Sequence, residues 1–86
     1  METLSSHPEP RDVVETHGMQ IVDAFVHYYE GFGVLPEECS IHLDTATLEN
    51  ERLEVLVMHK TRGFFGATAF YDEASDTLSD FRFGPA

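Results

Sequence analysis

Two histidines and an aspartate, His42, His59 and Asp44, are the side chains here whose types could hold a metal ion. Two imidazoles and a carboxylate can bind zinc. If Leu48 stands opposite Leu53 across a hairpin, His42 faces His59 and Asp44 shares that side, because side chains alternate along a strand. No C-x-x-C or H-E-x-x-H accompanies them, and a polar pair at a sheet edge explains the same residues, so no metal site is expected. Asp72, Ala74 and Asp76 have the spacing of a calcium loop. The pattern fails at Ala74, at Thr77 in place of glycine, and at Phe83 where a glutamate should close the site. Cys39 has no catalytic motif around it and reads as a small hydrophobe. There is no G-x-S-x-G and no glycine-rich phosphate loop. These absences predict a non-enzymatic chain with no cofactor.

The acids form a different pattern. Glu49, Glu51 and Glu54 cluster in one segment, interrupted by Arg52, and Asp72, Glu73 and Asp76 cluster in another. Crowding like charges raises self-repulsion. Such a cluster therefore serves a basic partner or is a solvated, solubilising surface. Whether the two segments meet depends on the elements that carry them.

Those elements are legible from hydrophobic periodicity. Val14, Gly18, Ile21, Val22, Phe25, Tyr29 and Phe32 recur at three- and four-residue steps, the pattern of one amphipathic helix. Asp12-Val13-Val14-Glu15 matches a capping box at its start, and Gly31 and Gly33 supply its stop. Leu35-Pro36-Glu37-Glu38 reads as a turn. From residue 40 the period changes to two, predicting strands over Ser40–Leu48, Leu53–Lys60, Phe64–Tyr71 and Thr77–Phe83. Links this short join antiparallel neighbours. The expected fold class is α+β: an N-terminal helix on a four-stranded antiparallel meander, in the order α-β-β-β-β. Residues 1–10 hold two prolines and no periodicity and predict a flexible leader before a single domain over 11–86.

In a meander the first and third hairpin turns lie at one end of the sheet. The six acids should then form one pole, joined by Asp12 and Glu15 at the helix start, with the Lys60–Arg62 turn at the other end. In the register set by Leu48 and Leu53, the helix-facing side carries Ile41, Leu43, Leu56, Met58, Ala67 and Ala69. Leu53, Val55, Val57, Phe64 and Phe70 then share the outer side with Leu48. An apolar outer side suggests an interface with a partner or a second copy, unless the leader or sheet curvature covers it.

Composition bounds the function. Apolar residues make up 42% of the chain, so it should fold. Sixteen acidic against five basic residues give a formal charge of −11, which opposes direct nucleic-acid binding, because that affinity comes from Lys and Arg neutralising phosphates. It suits a protein with a basic surface. No apolar run is long enough to span a bilayer, and METLSSHPEP lacks the basic start and apolar stretch of a secretory signal. With one cysteine, a cytoplasmic protein is expected.

The Ser40–Leu48 and Leu53–Lys60 strands, with acidic turns around Glu49 and Asp72, are broadly similar to phage-type inhibitors that imitate DNA, such as uracil-DNA glycosylase inhibitors. That resemblance lies in size, charge and hairpins; it carries over no functional residue. It implies a small protein-binding inhibitor or accessory factor that occupies a basic, nucleic-acid-handling surface, in the manner of anti-restriction, anti-CRISPR or repair-inhibiting proteins. The alternatives are a homo-oligomeric assembly subunit and a small metal- or ligand-binding domain.

Overall fold

The computed structural model describes residues 8–86. Two helices, α1 (Pro10–Thr16) and α2 (Gly18–Tyr28), precede four strands: β1 (Cys39–Glu49), β2 (Arg52–His59), β3 (Gly63–Asp72) and β4 (Thr77–Pro85). The strands form one antiparallel sheet in the order β1-β2-β3-β4. This is the α+β meander that the change of period predicts. The helices cover one side, α1 against β1 and α2 against β1 and β4.

The helical segment differs from its sequence pattern at its middle, its start and its end, where α2 stops at Tyr28 with Tyr29 as cap, ahead of Gly31 and Gly33. It breaks at His17, whose φ of −108° and ψ of 17° leave the helical range between α1 and α2. The start lies at Pro10 with Glu9 as cap, and no side chain caps it, so Asp12 sits inside the first turn. There its charge complements the helix dipole. Proline at the first position explains the earlier start, since it brings a preset φ and has no N–H to orphan. The leader expected over residues 1–10 falls mostly on residues 1–7, outside the described residues, and Pro10 belongs to α1. After α2 the chain makes single 3-10 turns at Glu30–Phe32 and Pro36–Glu38. Gly33 ends the first at φ 74°, the left-handed conformation glycine adopts without a Cβ clash.

The core lies between the helices and one sheet face. Val13, Val14, Ile21 and Phe25 from the helices meet Leu53, Val55, Val57, Ala67, Ala69, Tyr71 and Leu78 from the sheet. Ala67 and Ala69 let the helix layer approach closely. Phe25 packs edge-on against Phe65 and Phe83 at centroid distances of 5.1 and 5.5 Å, an arrangement aromatic quadrupoles favour.

The structure reverses the faces that the Leu48–Leu53 register implies for β2. That pair does face across the hairpin, but β1 shifts register between His42 and Thr47, so Ile41 pairs with Val57 and His42 with Leu56. Between His42↔Leu56 and Thr47↔Glu54, four residues of β1 oppose one of β2, and the odd difference reverses which face β1 presents on either side of the bulge. Leu53, Val55 and Val57 are accordingly core residues, Val57 being 0% exposed. Leu56 and Met58 lie on the outer face with Phe64 and Phe70, with which β2 is cross-paired through Met58↔Phe64 and Arg52↔Phe70. Leu53, Val55, Val57, Phe64 and Phe70 therefore do not form one surface.

Candidate partner-docking surface

Two-residue and four-residue turns shape the end of the sheet where the acids gather. Between β1 and β2 the turn residues Asn50 and Glu51 have φ of 51° and 68°, the doubly left-handed geometry of a type I′ hairpin that matches strand twist. Between β3 and β4 the chain turns over residues 73–76, with Asp72 Oδ1 accepting the Ala74 N–H at 3.1 Å. The backbone N–H of Tyr71 donates to the carbonyl of Glu51 at 2.8 Å, so the first hairpin is tied to the strand leading into the third. Glu49, Glu51, Asp72, Glu73 and Asp76 are brought to one end. Glu54 stands further in, on the outer face opposite Thr47 and Thr68.

Asp76 differs from the other acids. Its Oδ1 accepts the Tyr71 hydroxyl at 2.7 Å and the His17 Nε2–H at 3.0 Å. These bonds hold its carboxyl below the usual aspartate range, His17 contributing most. They also fasten the joint between α1 and α2 to the third turn. The same carboxylate, helped by burial, pushes the Tyr71 hydroxyl up to about 12. Sequence spacing had not singled out Asp80, which has a φ of 55° at a shift in the β3–β4 register. Its two oxygens stand 3.5 Å from Arg52 Nη2 and 3.6 Å from Arg82 Nε. Two of the four arginines are thereby drawn to one carboxylate.

The histidine group does not assemble. His59 is 4% exposed on the helix side and pairs with Cys39. His42 lies on the outer face, edge-on to Phe64 at 5.0 Å. Asp44 accepts from Arg11 at 3.0 Å. The β1 bulge is the physical reason, since it moves His42 out of register with His59. Among the described residues no three potential ligands come together. His59 Nδ1 accepts the N–H groups of Thr61 and Arg62, both at 3.1 Å, so the ring proton is on Nε2 and points to Glu38 Oε1 at 3.2 Å. That glutamate also accepts the Leu35 N–H, the bond that chiefly lowers its pKa, ahead of the one from His59. Sequence reading missed this lock, although a glutamate three residues beyond a turn-initiating residue is half of a capping box. The Cys39 thiol donates to the Leu35 carbonyl at 3.5 Å, and burial raises its pKa, away from the reactive thiolate.

The sheet face that carries no helix among the described residues presents side chains in rows across the strands, read from the cross-strand pairs. Nearest the acidic end stand Glu49, Arg52, Phe70 and Ser79, then Thr47, Glu54, Thr68 and Arg82. The third row is His42, Leu56, Gly66 and Gly84, and beyond it lie Ser40, Met58 and Phe64. Gly66 and Gly84 are cross-strand neighbours, so half of the third row has no side chain. A cavity of 130 Å³ opens there, lined by Thr45, Glu54, Leu56, Gly66 and Thr68. A larger concavity of 500 Å³ lies between α2 and the start of β1, against Met19, Val22, Pro36 and Ile41. A third, of 260 Å³, is bounded by Tyr29, Phe32, Val34 and Phe65, with Arg62 over the Phe32 ring.

Among the described residues the geometry defines a two-layer α+β fold with one bare sheet face and a carboxylate-rich end. No protein-family model, curated protein or solved structure matches the chain. Among the described residues no helix is long and apolar enough to cross a membrane.

Proposed function

We propose that this chain is a small, acidic, non-enzymatic protein-binding module, an inhibitor or accessory factor whose turn end docks on a basic, nucleic-acid-handling surface of a partner protein in the cytoplasm. The observation that carries the reading is the bond from the Tyr71 N–H to the Glu51 carbonyl, which brings two acidic turns to one end. The Lys60–Arg62 turn lies at the opposite end, where Arg62 donates to the Phe32 carbonyl at 3.0 Å. Carboxylates concentrated at the turn end orient an approaching basic protein before contact, and that steering weakens as salt rises. A surface of carboxylates spaced along paired hairpins offers a partner the charge of a phosphate backbone without its chemistry.

The test is kinetic. With the partner recovered by affinity capture, association rates are measured for wild type and for Glu49→Lys/Glu51→Lys at low and high salt. Charge reversal should slow association about tenfold at low salt, with the two proteins converging at high salt and circular dichroism unchanged. Equal rates at low salt would reduce the acidic end to a soluble surface.

A further inference from the structure

The bare sheet face carries an inference that rests on the reading of the acidic end and extends it to a partner of defined shape. Along a strand, rows of outward side chains lie ~7 Å apart. Omitting side chains from half of one row therefore leaves a trough over β3 and β4 whose flanking rows stand ~13 Å apart centre to centre, on the scale of the 10–12 Å diameter of an α-helix. Its floor is the backbone of Gly66 and Gly84, and Leu56 bounds it toward β1. One bank is apolar, with Met58 partly exposed and Phe64 44% exposed. The other bank holds Glu54 and Thr68, and behind it the face runs toward Glu49 and Asp72. Arg82, the cation of that bank, is turned to Asp80.

These glycines have no conformational reason to be glycine. Neither has a positive φ, in contrast to Gly33 and Gly63. A Cβ on Gly84 would meet nothing within 4 Å, and one on Gly66 would meet only the Gly84 carbonyl at an ordinary 3.9 Å. Glycine inside a strand lowers stability relative to a β-branched residue and commonly marks a bulge or a close approach of another chain; the register shifts here lie elsewhere, between His42 and Thr47 and between Thr68 and Phe70. A bare face of partly exposed Leu56, Met58, Phe64 and Phe70 is the kind of apolar surface that a partner covers.

We infer that the Gly66–Gly84 trough seats an amphipathic, basic helix of the partner protein. Its apolar side chains lie in the trough against Leu56, Met58 and Phe64. Its lysines and arginines lean to the Glu54 bank and the acidic end beyond it. Charge selects this occupant: a second copy would bring another net −11 against the same acids, whereas a basic helix meets them with opposite sign.

The probe is a synthetic peptide of about 15 leucines and lysines, patterned at 3.6-residue spacing to have one apolar and one basic face, long enough to cross a four-stranded sheet. A peptide of the same composition with scrambled order is the control. Dissociation constants are measured for wild type, Gly84→Val, Gly66→Val and Glu49→Lys/Glu51→Lys, with melting curves for each. Both valine variants should melt at or above the wild-type temperature and bind the patterned peptide at least tenfold more weakly. In wild type the peptide should shift the amide resonances of Leu56, Gly66 and Gly84, which needs no variant to fold.

Undiminished binding by the folded valine variants, or equal binding of patterned and scrambled peptides, overturns the trough. If charge reversal alone weakens binding, the trough falls and the acidic end stands. If the valines alone weaken it, the trough stands and the acidic end falls.

Discussion

Among single residues, Asp76 and His59 show how polar side chains hold this small fold together. His59 is buried with its acceptor nitrogen under two turn N–H groups and its donor on Glu38, so the lock is satisfied on both sides. Asp76 is more exposed and carries a pH dependence with two limbs. Its folded pKa is depressed by His17 and Tyr71, so its contribution is present above about pH 4 and is lost as pH falls from there. The Tyr71 pKa is raised to about 12, so the neutral phenol contributes fully below about pH 10 and progressively less as pH climbs toward 12. In Asp76→Asn, urea unfolding at pH 3 and pH 7 should differ less than in wild type. The part of the tyrosinate absorbance expected from Tyr71 near pH 12 should move to lower pH. Superimposable profiles for the two proteins would show that the carboxylate has no such hold.

Secondary-structure elements meet their sharpest irregularity in the middle of β1. The register shift between His42 and Thr47 leaves backbone groups without ladder partners, and Thr45 supplies the replacement. Its Oγ1 donates to the His42 carbonyl at 2.7 Å and accepts the Leu56 N–H at 3.0 Å. A hydroxyl bridges both because it is donor and acceptor at once. Thr45→Val keeps the shape and removes both bonds, so it should cost about 1–3 kcal/mol in chemical denaturation, the range for leaving a partly buried polar group unpaired. Thr45→Ser should retain most of the stability. A loss in Thr45→Ser with none in Thr45→Val would point to the methyl group instead. The bulge also determines which side of β1 joins the core, so this one side chain bears on the orientation of Ile41 and His42.

The whole molecule is a thin two-layer structure with charge concentrated at one end and a bare face beside it. With a net charge of −11 on 86 residues, self-repulsion opposes the compact state until it is screened. Raising sodium chloride from about 0.01 to 1 M shortens the Debye length from about 30 to about 3 Å. Stability should rise by about 1 kcal/mol, or roughly 4–8 °C in Tm for a domain of this size. Glu49→Lys/Glu51→Lys should narrow that salt response, because it removes like charges where they are densest. A Tm independent of salt in both proteins would mean that the arginines already offset the acids locally.

The helical period, the alternation of the four strands and the short links were enough to determine the α+β meander, because local periodicity and turn length leave few antiparallel topologies open. The sharing of one end by the Glu49–Arg52 and Asp72–Thr77 turns followed from that topology alone. Which face was core did not follow. Leu53-Glu54-Val55-Leu56-Val57-Met58 is apolar on both sides over most of its length, so alternation could not choose, and the register assumption failed at the β1 bulge. A shift of one or three residues leaves composition and period unchanged while exchanging buried and exposed sides. That is why Val57 moved from expected surface to core and His42 parted from His59. The break at His17, the capture of Asp76 by Tyr71 and His17, and the adjacency of Gly66 and Gly84 join residues distant in sequence or set by packing. Only the tertiary structure decided them, since such contacts exist only once the helices lie on the sheet and its register is set.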